Sequence, residues 1–243
     1  MKLEGKRILI TGGGSGIGLE LARRLAGTNR VVIAGRDQAK LERARTEISS
    51  LRTLRLDVTS ETEARAAVAE LGGLDLLVNN AGLLRAYPLS SPDAENWSVE
   101  DVQVNVIGAL RMTRLALPLL EAAPEAGIVF ISSAVALAAV PGYAVYAATK
   151  AAVHSLARSL RAELQSSGIR VIEVLPPVVD TGPVSRLDVS KLPPATVAES
   201  IVAGLRRNRD EIRVGPVRQL APLARLAPRL ADRIVTRALT APE

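Results

Sequence analysis

The sequence predicts an α/β protein built on one doubly wound parallel sheet of about seven strands, with helices on both faces. Three observations carry that prediction. Short β-branched runs (RILIT, RVVIAG, LRTLRLDV, GLDLLVNN, GIVFISS and IRVIEVLPP) alternate with segments of helical periodicity. A glycine cluster closes the first of these runs and opens the first helix. Small, amide and hydroxyl residues recur at the carboxyl ends of the strands, the edge where such sheets bind ligands.

A chain of 243 residues suits a single unit of this kind. Hydrophobic residues make up 48% and aromatics only 2%, so the core is aliphatic. The absence of cysteine excludes disulfides and thiolate zinc sites and suits a reducing compartment. The single histidine, His154, argues against a histidine metal site or a Ser-His-Asp triad and reads as a packing or surface residue. No signal-peptide core and no apolar run of about 20 residues is present, so a soluble cytoplasmic protein is expected. The net charge of +6 is concentrated in the tail, where six arginines between Arg213 and Thr240 face one acid, Asp232. A local excess without aromatic stacking residues does not describe a nucleic-acid binder. Residues 1–215 are expected to form the α/β domain, and residues 216–243 a basic amphipathic helical tail.

Taken in order, RILIT is the first strand and Ile17, Leu21 and Leu25 mark one face of the first helix. Gly12, Gly16 and Gly18 sit where strand turns into helix. Glycines there permit a tight turn, close approach of a pyrophosphate and close helix–strand packing, and the helix N-terminus then holds the anion. RVVIAG, the second strand, ends at Gly35-Arg36-Asp37. An acid at this point would bind the ribose of NAD, whereas an arginine would bind the 2′-phosphate of NADP. Arg36 favours NADP. Asp37 reads as the N-cap of the next helix, the competing view being that it reaches back to a ribose. LRTLRLDVTS is a third strand ending at Asp57-Val58, with Thr59 or Ser60 capping the helix after it. Asp57 either accepts a hydrogen bond from an adenine amino group or is a turn residue.

The fourth strand, GLDLLVNNAG, runs into Asn79, Asn80, Ala81 and Gly82, which suit either a backbone lying against a cofactor or an ordinary turn. A long helix is expected from about Trp97 to Ala122, kinked or restarted at Pro118. Asn105 sits in its apolar middle, a poor helix former whose burial asks for a task or a water to hold. GIVFISS is the fifth strand and carries Ser133 at its end. Thirteen residues on comes Tyr146, and four further Lys150, on one face of an alanine-rich helix. Bringing a phenol from about 10 to near 7 takes about 4 kcal/mol. One positive charge about 4 Å away at an effective dielectric of about 20 supplies that much. Tyr146 and Lys150 are therefore a sufficient proton-transfer pair, with Ser133 placed to hold a substrate oxygen.

TGGGSGIG at 11–18, Asp57-Val58, Asn79 to Gly82, Asn105, Ser133, Tyr146-Ala-Ala-Thr-Lys150 and PPVVDT at 176–181 together resemble the short-chain dehydrogenase/reductase family, over residues from about 6 to 215. The resemblance implies a Rossmann-type fold and a catalytic set of Asn105, Ser133, Tyr146 and Lys150. Tyr146 would act as general acid/base, Ser133 would polarise the carbonyl, and Lys150 would lower the tyrosine pKa and bind the nicotinamide ribose. Asn105 would hold a water of the proton relay. It further implies cofactor contacts from Gly12, Ser15, Gly16, Ile17, Gly18, Arg36, Asp57, Val58, Asn79, Ala81, Gly82, Tyr146, Lys150, Pro176, Val179 and Thr181. One departure is Pro177, where the family usually has glycine. It stiffens the loop and removes a donor, and in this the chain resembles the DltE-like bacterial oxidoreductases.

The expected function is hydride transfer between NADP(H), with NAD(H) the lesser candidate, and a carbonyl or secondary alcohol. Leu187 and Leu192 in the lid, with Val135 to Val140 and Tyr143, imply an apolar pocket. The alternatives are an idle dinucleotide sensor or scaffold, and a membrane-associated reductase of lipid-like carbonyls. The complete tetrad argues against the sensor. In the tail, Leu223, Leu226, Leu230 and Ile234 form an apolar stripe, and Arg225, Arg229, Arg233 and Arg237 recur every four residues. The simpler reading packs the leucine face on the body or on another subunit; the other lays the helix on an anionic bilayer. The resemblance also implies a homodimer or homotetramer built on the helices of Trp97 and Tyr146.

Overall fold

The computed structural model describes residues 1–182 and 189–239. Among them are the strands β1 (Arg7–Thr11), β2 (Arg30–Gly35), β3 (Arg52–Arg55), β4 (Leu76–Asn79), β5 (Gly127–Ile131), β6 (Arg170–Leu175) and β7 (Glu211–Arg213). They form one parallel sheet in the order β3-β2-β1-β4-β5-β6-β7. The chain direction across the sheet reverses beside β1, which pairs with both β2 and β4. That reversal opens the crevice in which such sheets bind ligands. The expected doubly wound sheet is the observed one.

Helices cover both faces: α1 (Gly16–Leu25), α2 (Gln38–Glu47) and α7 (Pro194–Arg206) on one, α3 (Glu61–Ala69), α5 (Ala109–Glu121) and α6 (Ala144–Glu163) on the other. The strands divide their side chains by the period of two. Ile8 and Ile10 join Leu21, Leu25, Ile201 and Leu205, while Leu9 joins Met112, Ala116 and Leu120 across the sheet. Phe130, the single phenylalanine, is wholly buried in the second layer. Asp37 caps α2 by accepting from the Lys40 amide at 3.1 Å, and Ser60 caps α3 from Glu63 at 3.2 Å.

The long helix expected from Trp97 to Ala122 runs from Ala94 to Glu121, but not as one regular α-helix. Between α4 (Ala94–Val102) and α5 lies a π-helical stretch, Gln103–Gly108, with Asn105 inside it. Pro118 starts no separate turn, since it lies within α5. β3 ends two residues before Asp57, which instead closes a turn by accepting from the Thr59 amide at 2.8 Å and its hydroxyl at 2.7 Å. His154 is more than a packing residue. Its Nδ1 lies 2.8 Å from a carboxylate oxygen of Glu173, a fully buried acid on β6.

The tail forms α8 (Val217–Leu226) and α9 (Pro228–Leu239), both packed on the body, but not through the expected stripe. Val217, Leu220, Ala231, Val235 and Leu239 are buried with Val135, Val140, Tyr143 and Leu175. Leu223 lies at the edge of that cluster, whereas Leu226, Leu230 and Ile234 are exposed. The inward row of α9 is Ala231, Val235 and Leu239, and beside it the Ala139 amide donates to Asp232 at 2.8 Å. Among the described residues no helix is long and apolar enough to cross a membrane.

Candidate active site

The loop after β1 is shaped by its glycines. Gly16 has φ +56°, a left-handed conformation, and a Cβ there would stand 2.9 Å from Thr181 Cγ2. At Gly18 a Cβ would meet Asn80 Nδ2 at 2.5 Å and the Gly12 carbonyl at 2.7 Å. The side chain of Asn80 fills that space to a purpose. Its Nδ2 donates to the carbonyls of Thr11 and Gly12 at 2.9 and 3.0 Å. The Thr11 hydroxyl in return accepts from the amides of Asn80 and Ala81, both at 3.1 Å. The loops after β1 and β4 are thus clasped together. The first turn of α1 holds no acid, and Ser15 at its N-cap makes no side-chain capping bond. These free donors at a helix N-terminus fit a pyrophosphate.

A cavity of about 760 Å³ opens from this loop. Gly12, Ser15, Gly16 and Ile17 line one end, with Ala81 and Gly82 beside them. Ser133, Tyr146 and Lys150 also line it, and Pro176, Val179 and Thr181 add a further wall, with Thr181 reaching the start of α1 at Gly16. Gly18 stands behind the loop rather than on the wall. Beyond Tyr146 the walls are Val135, Tyr143 and Val178, followed by Leu220, Leu223, Val235 and Leu239 from the tail. The expected apolar pocket is present, and α8 and α9 form part of it. Leu187 of the expected lid lies outside the described residues; Leu192 packs by pairing its amide with the Val178 carbonyl at 2.9 Å.

Asn105 does not face the cavity. Its Oδ1 accepts from the Leu83 amide at 2.7 Å, and its Nδ2 donates to the Leu83 carbonyl and to Thr149 Oγ1. Thr149 donates in turn to the Tyr146 carbonyl at 2.8 Å. Asn105 therefore ties the loop after β4 to the helix of Tyr146 and Lys150. The π-helical widening around it fits the demand for this side chain in a helix interior. Lys150 is buried, and its Nζ donates to the Ile131 carbonyl at 2.9 Å. The sequence gives Asn80 a place beside a cofactor but not its clasping role, and it gives no role to Thr149 or to Lys40, which also lines the cavity. Lys40 stands in the first turn of α2, four residues after Arg36.

The electrostatics differ from the sequence-based estimate. Burial pushes the Tyr146 phenol up to about 12, with the neighbouring Ser133 hydroxyl opposing the shift. Burial also pushes Lys150 down to about 8. The ammonium lies 5.7 Å from the centroid of the Tyr146 ring. A charge that is to favour the phenolate here has this desolvation cost to offset first.

Besides Gly18, four expected cofactor residues stand off the cavity wall. Asn79 points to the opposite face of the sheet edge and donates to Thr113 Oγ1 at 2.9 Å, because consecutive strand residues face opposite ways. Val58 packs on Gly108 in the helix. Arg36 is half exposed at the outer rim, with Nη1 3.8 Å from Asp57 and 3.9 Å from Glu100. Burial raises Asp57, but the Thr59 hydrogen bonds and the charges of Arg36 and Arg55 outweigh it and hold the carboxyl low.

The family model for short chain dehydrogenases matches residues 6–190. The chain belongs to that family. Among curated relatives of this short-chain dehydrogenase is the uncharacterized oxidoreductase DltE of Bacillus subtilis, 38% identical over 188 residues, 75% of each chain. An uncharacterized oxidoreductase of Staphylococcus aureus is 31% identical over 229 residues, 88% of this chain and 99% of the relative. A crystal structure of a short chain dehydrogenase from Burkholderia cenocepacia in complex with NADP superposes with a TM-score of 0.86 at 28% identity, covering 99% of this chain and 100% of that one. A 3-ketoacyl-(acyl-carrier-protein) reductase from Brucella melitensis complexed with NADH gives 0.80 at 31% identity, covering 89% and 100%. Membership makes the protein an oxidoreductase of the nicotinamide-dinucleotide-binding kind, and the site residues fit that group.

Proposed function

We propose that this short-chain dehydrogenase is an NADP(H)-dependent carbonyl reductase or alcohol dehydrogenase with an apolar substrate. The observation that carries the reading is the shared cavity. Ser133, Tyr146 and Lys150 meet on one wall of it, between the free N-terminus of α1 and an apolar end. The cofactor would lie from α1 to Lys150 and, when bound, supplies or accepts a hydride at the substrate carbon. The protein's own residues do the rest. Ser133 and Tyr146 hold the substrate oxygen, Tyr146 gives or takes its proton, and Lys150 steadies the phenolate. The apolar walls exclude water from the charge that develops there. Arg36 at the rim would pair with the 2′-phosphate, a stronger attraction than either of its two carboxylate contacts near 4 Å.

The test is NADPH consumption against a panel of ketones, aldehydes and quinones, with Tyr146→Phe beside the wild type. Turnover is expected in the wild type and not in the variant, with NADPH affinity nearly equal in both. A variant retaining more than about a tenth of the activity would sink the proton-transfer role. NADPH binding without turnover on any carbonyl would favour an idle dinucleotide sensor.

A further inference from the structure

Helices α8 and α9 wall the substrate end of the cavity, and their outer faces carry an arrangement that the reductase reading leaves unused. Residues four apart on a helix stack into rows. In α9 one row, Ala231, Val235 and Leu239, is buried against the body. The adjoining row, Leu230, Ile234 and Ala238, is exposed, Leu230 by 47% and Ile234 by 46%. Beside it runs a third row, Arg229, Arg233 and Arg237, also exposed. Leu226 at the end of α8 is 87% exposed and adds to the apolar surface. Ile234 and Ala238 line the cavity as well, so the exposed apolar row continues into its interior.

The charge of this surface is one-sided. α8 and α9 carry five exposed arginines against one acid, Asp232, whose carboxylate is engaged by the Ala139 amide. Among the described residues no ion pair involves Arg225, Arg229, Arg233 or Arg237. A ridge of large aliphatics beside unpaired arginines complements an anionic bilayer, the ridge entering the acyl boundary and the arginines meeting headgroup phosphates. A second copy of the chain complements it poorly, since a two-fold contact would set arginine rows against each other.

We propose that α8 and α9 dock the protein on an anionic lipid surface, with the mouth of the apolar cavity turned toward the acyl region. Entry of a membrane-dissolved carbonyl through that mouth rests on the reductase reading; the docking does not.

The experiment sediments the full-length protein with vesicles of phosphatidylcholine, and with vesicles containing about one third phosphatidylglycerol, over a range of salt. Binding is expected to the anionic vesicles only, and to weaken as salt rises. Arg229→Gln and Arg233→Gln should each lower partitioning about fivefold. Leu226→Ser with Leu230→Ser should lower it further while leaving the thermal midpoint and NADPH affinity unchanged. Failure to sediment with anionic vesicles, or equal binding to both kinds, overturns the proposal. A solution mass that falls in the double serine variant overturns it too, by showing that a second copy covers the ridge. None of these readouts depends on turnover, so the docking and the reductase reading can fail separately.

Discussion

Replacing Lys150 with methionine isolates what the ammonium does for the phenol. The phenol is held up to about 12 by burial, and the same burial brings Lys150 down to about 8. Below that value a full charge lies 5.7 Å from the ring centroid. At an effective dielectric of about 20 it favours the phenolate by about 3 kcal/mol, a factor of about a hundred in population. The two groups titrate as a pair. While Lys150 stays charged, the active phenolate–ammonium form, and with it alcohol oxidation, grows about tenfold per pH unit. Once Lys150 discharges, each further gain in phenolate is matched by a loss of ammonium, and the rate levels off. The wild-type profile is therefore expected to rise and then flatten near pH 8. Lys150→Met should be about a hundredfold slower at neutral pH and show no break there. The assay is the initial rate of alcohol oxidation at saturating substrate and cofactor across pH. Cofactor affinity is measured separately, by fluorescence, so that lost binding is not counted as lost chemistry. A break near pH 8 that survives in the variant, or a loss under about tenfold, would refute the electrostatic role.

Arg36→Ala should weaken NADPH about ten- to a hundredfold and leave NADH nearly unchanged; equal losses in a competition titration would remove the case for the phosphate. Thr149→Val keeps the volume but leaves the buried Asn105 amide one acceptor short, and should cost about 1–3 kcal/mol in denaturant unfolding. A stability equal to wild type would show that the Asn105–Thr149 link contributes nothing. His154 is held above the ordinary histidine value, chiefly by its hydrogen bond to Glu173, with burial and Arg158 opposing and the Glu173 and Glu211 charges assisting. Its stabilising contribution is thus complete below about pH 6.5 and is lost as pH rises through the folded-state value. Thermal midpoints should fall over that window in the wild type, and His154→Gln should flatten the slope; an unchanged slope would show that other groups set it.

The parts of the site that were legible in the sequence are those fixed by local chemistry. Gly16 needs a positive φ, Asp37 and Ser60 cap helices, and Tyr146 and Lys150 share a face by spacing. The alternation of strands and helices set the parallel sheet for the same reason. What stayed hidden depends on partners distant in sequence. The choice between Asn79 and Asn80 turns on which side of the sheet edge faces α5, and neighbouring amides look alike in a string of letters. The π-helical stretch around Asn105 answers to Leu83 and Thr149, which no periodicity within the helix reveals. In the tail, hydrophobicity pointed to Leu226, Leu230 and Ile234, yet the row that packs on the body is Ala231, Val235 and Leu239, next to the contact of Asp232 with Ala139. Lys150 was assigned a charge at contact distance because spacing gives adjacency, not depth of burial.

The clasp made by Asn80 and Thr11 has a consequence for the order in which the molecule assembles. Its two halves are 69 residues apart in the chain, and closing such a span costs entropy that only a docked β4 repays. Until β4 lies beside β1, the glycine loop has neither the amide that bridges its carbonyls nor the strand against which it turns. Without the clasp the loop keeps the tie of the Gly13 amide to the Ala34 carbonyl of β2 at 3.2 Å, so the anion-binding cradle is completed only by the event that completes the centre of the sheet. A half-made molecule then has no ready-formed cradle with which to capture a dinucleotide, and competence to bind arrives together with the architecture that holds the reacting groups.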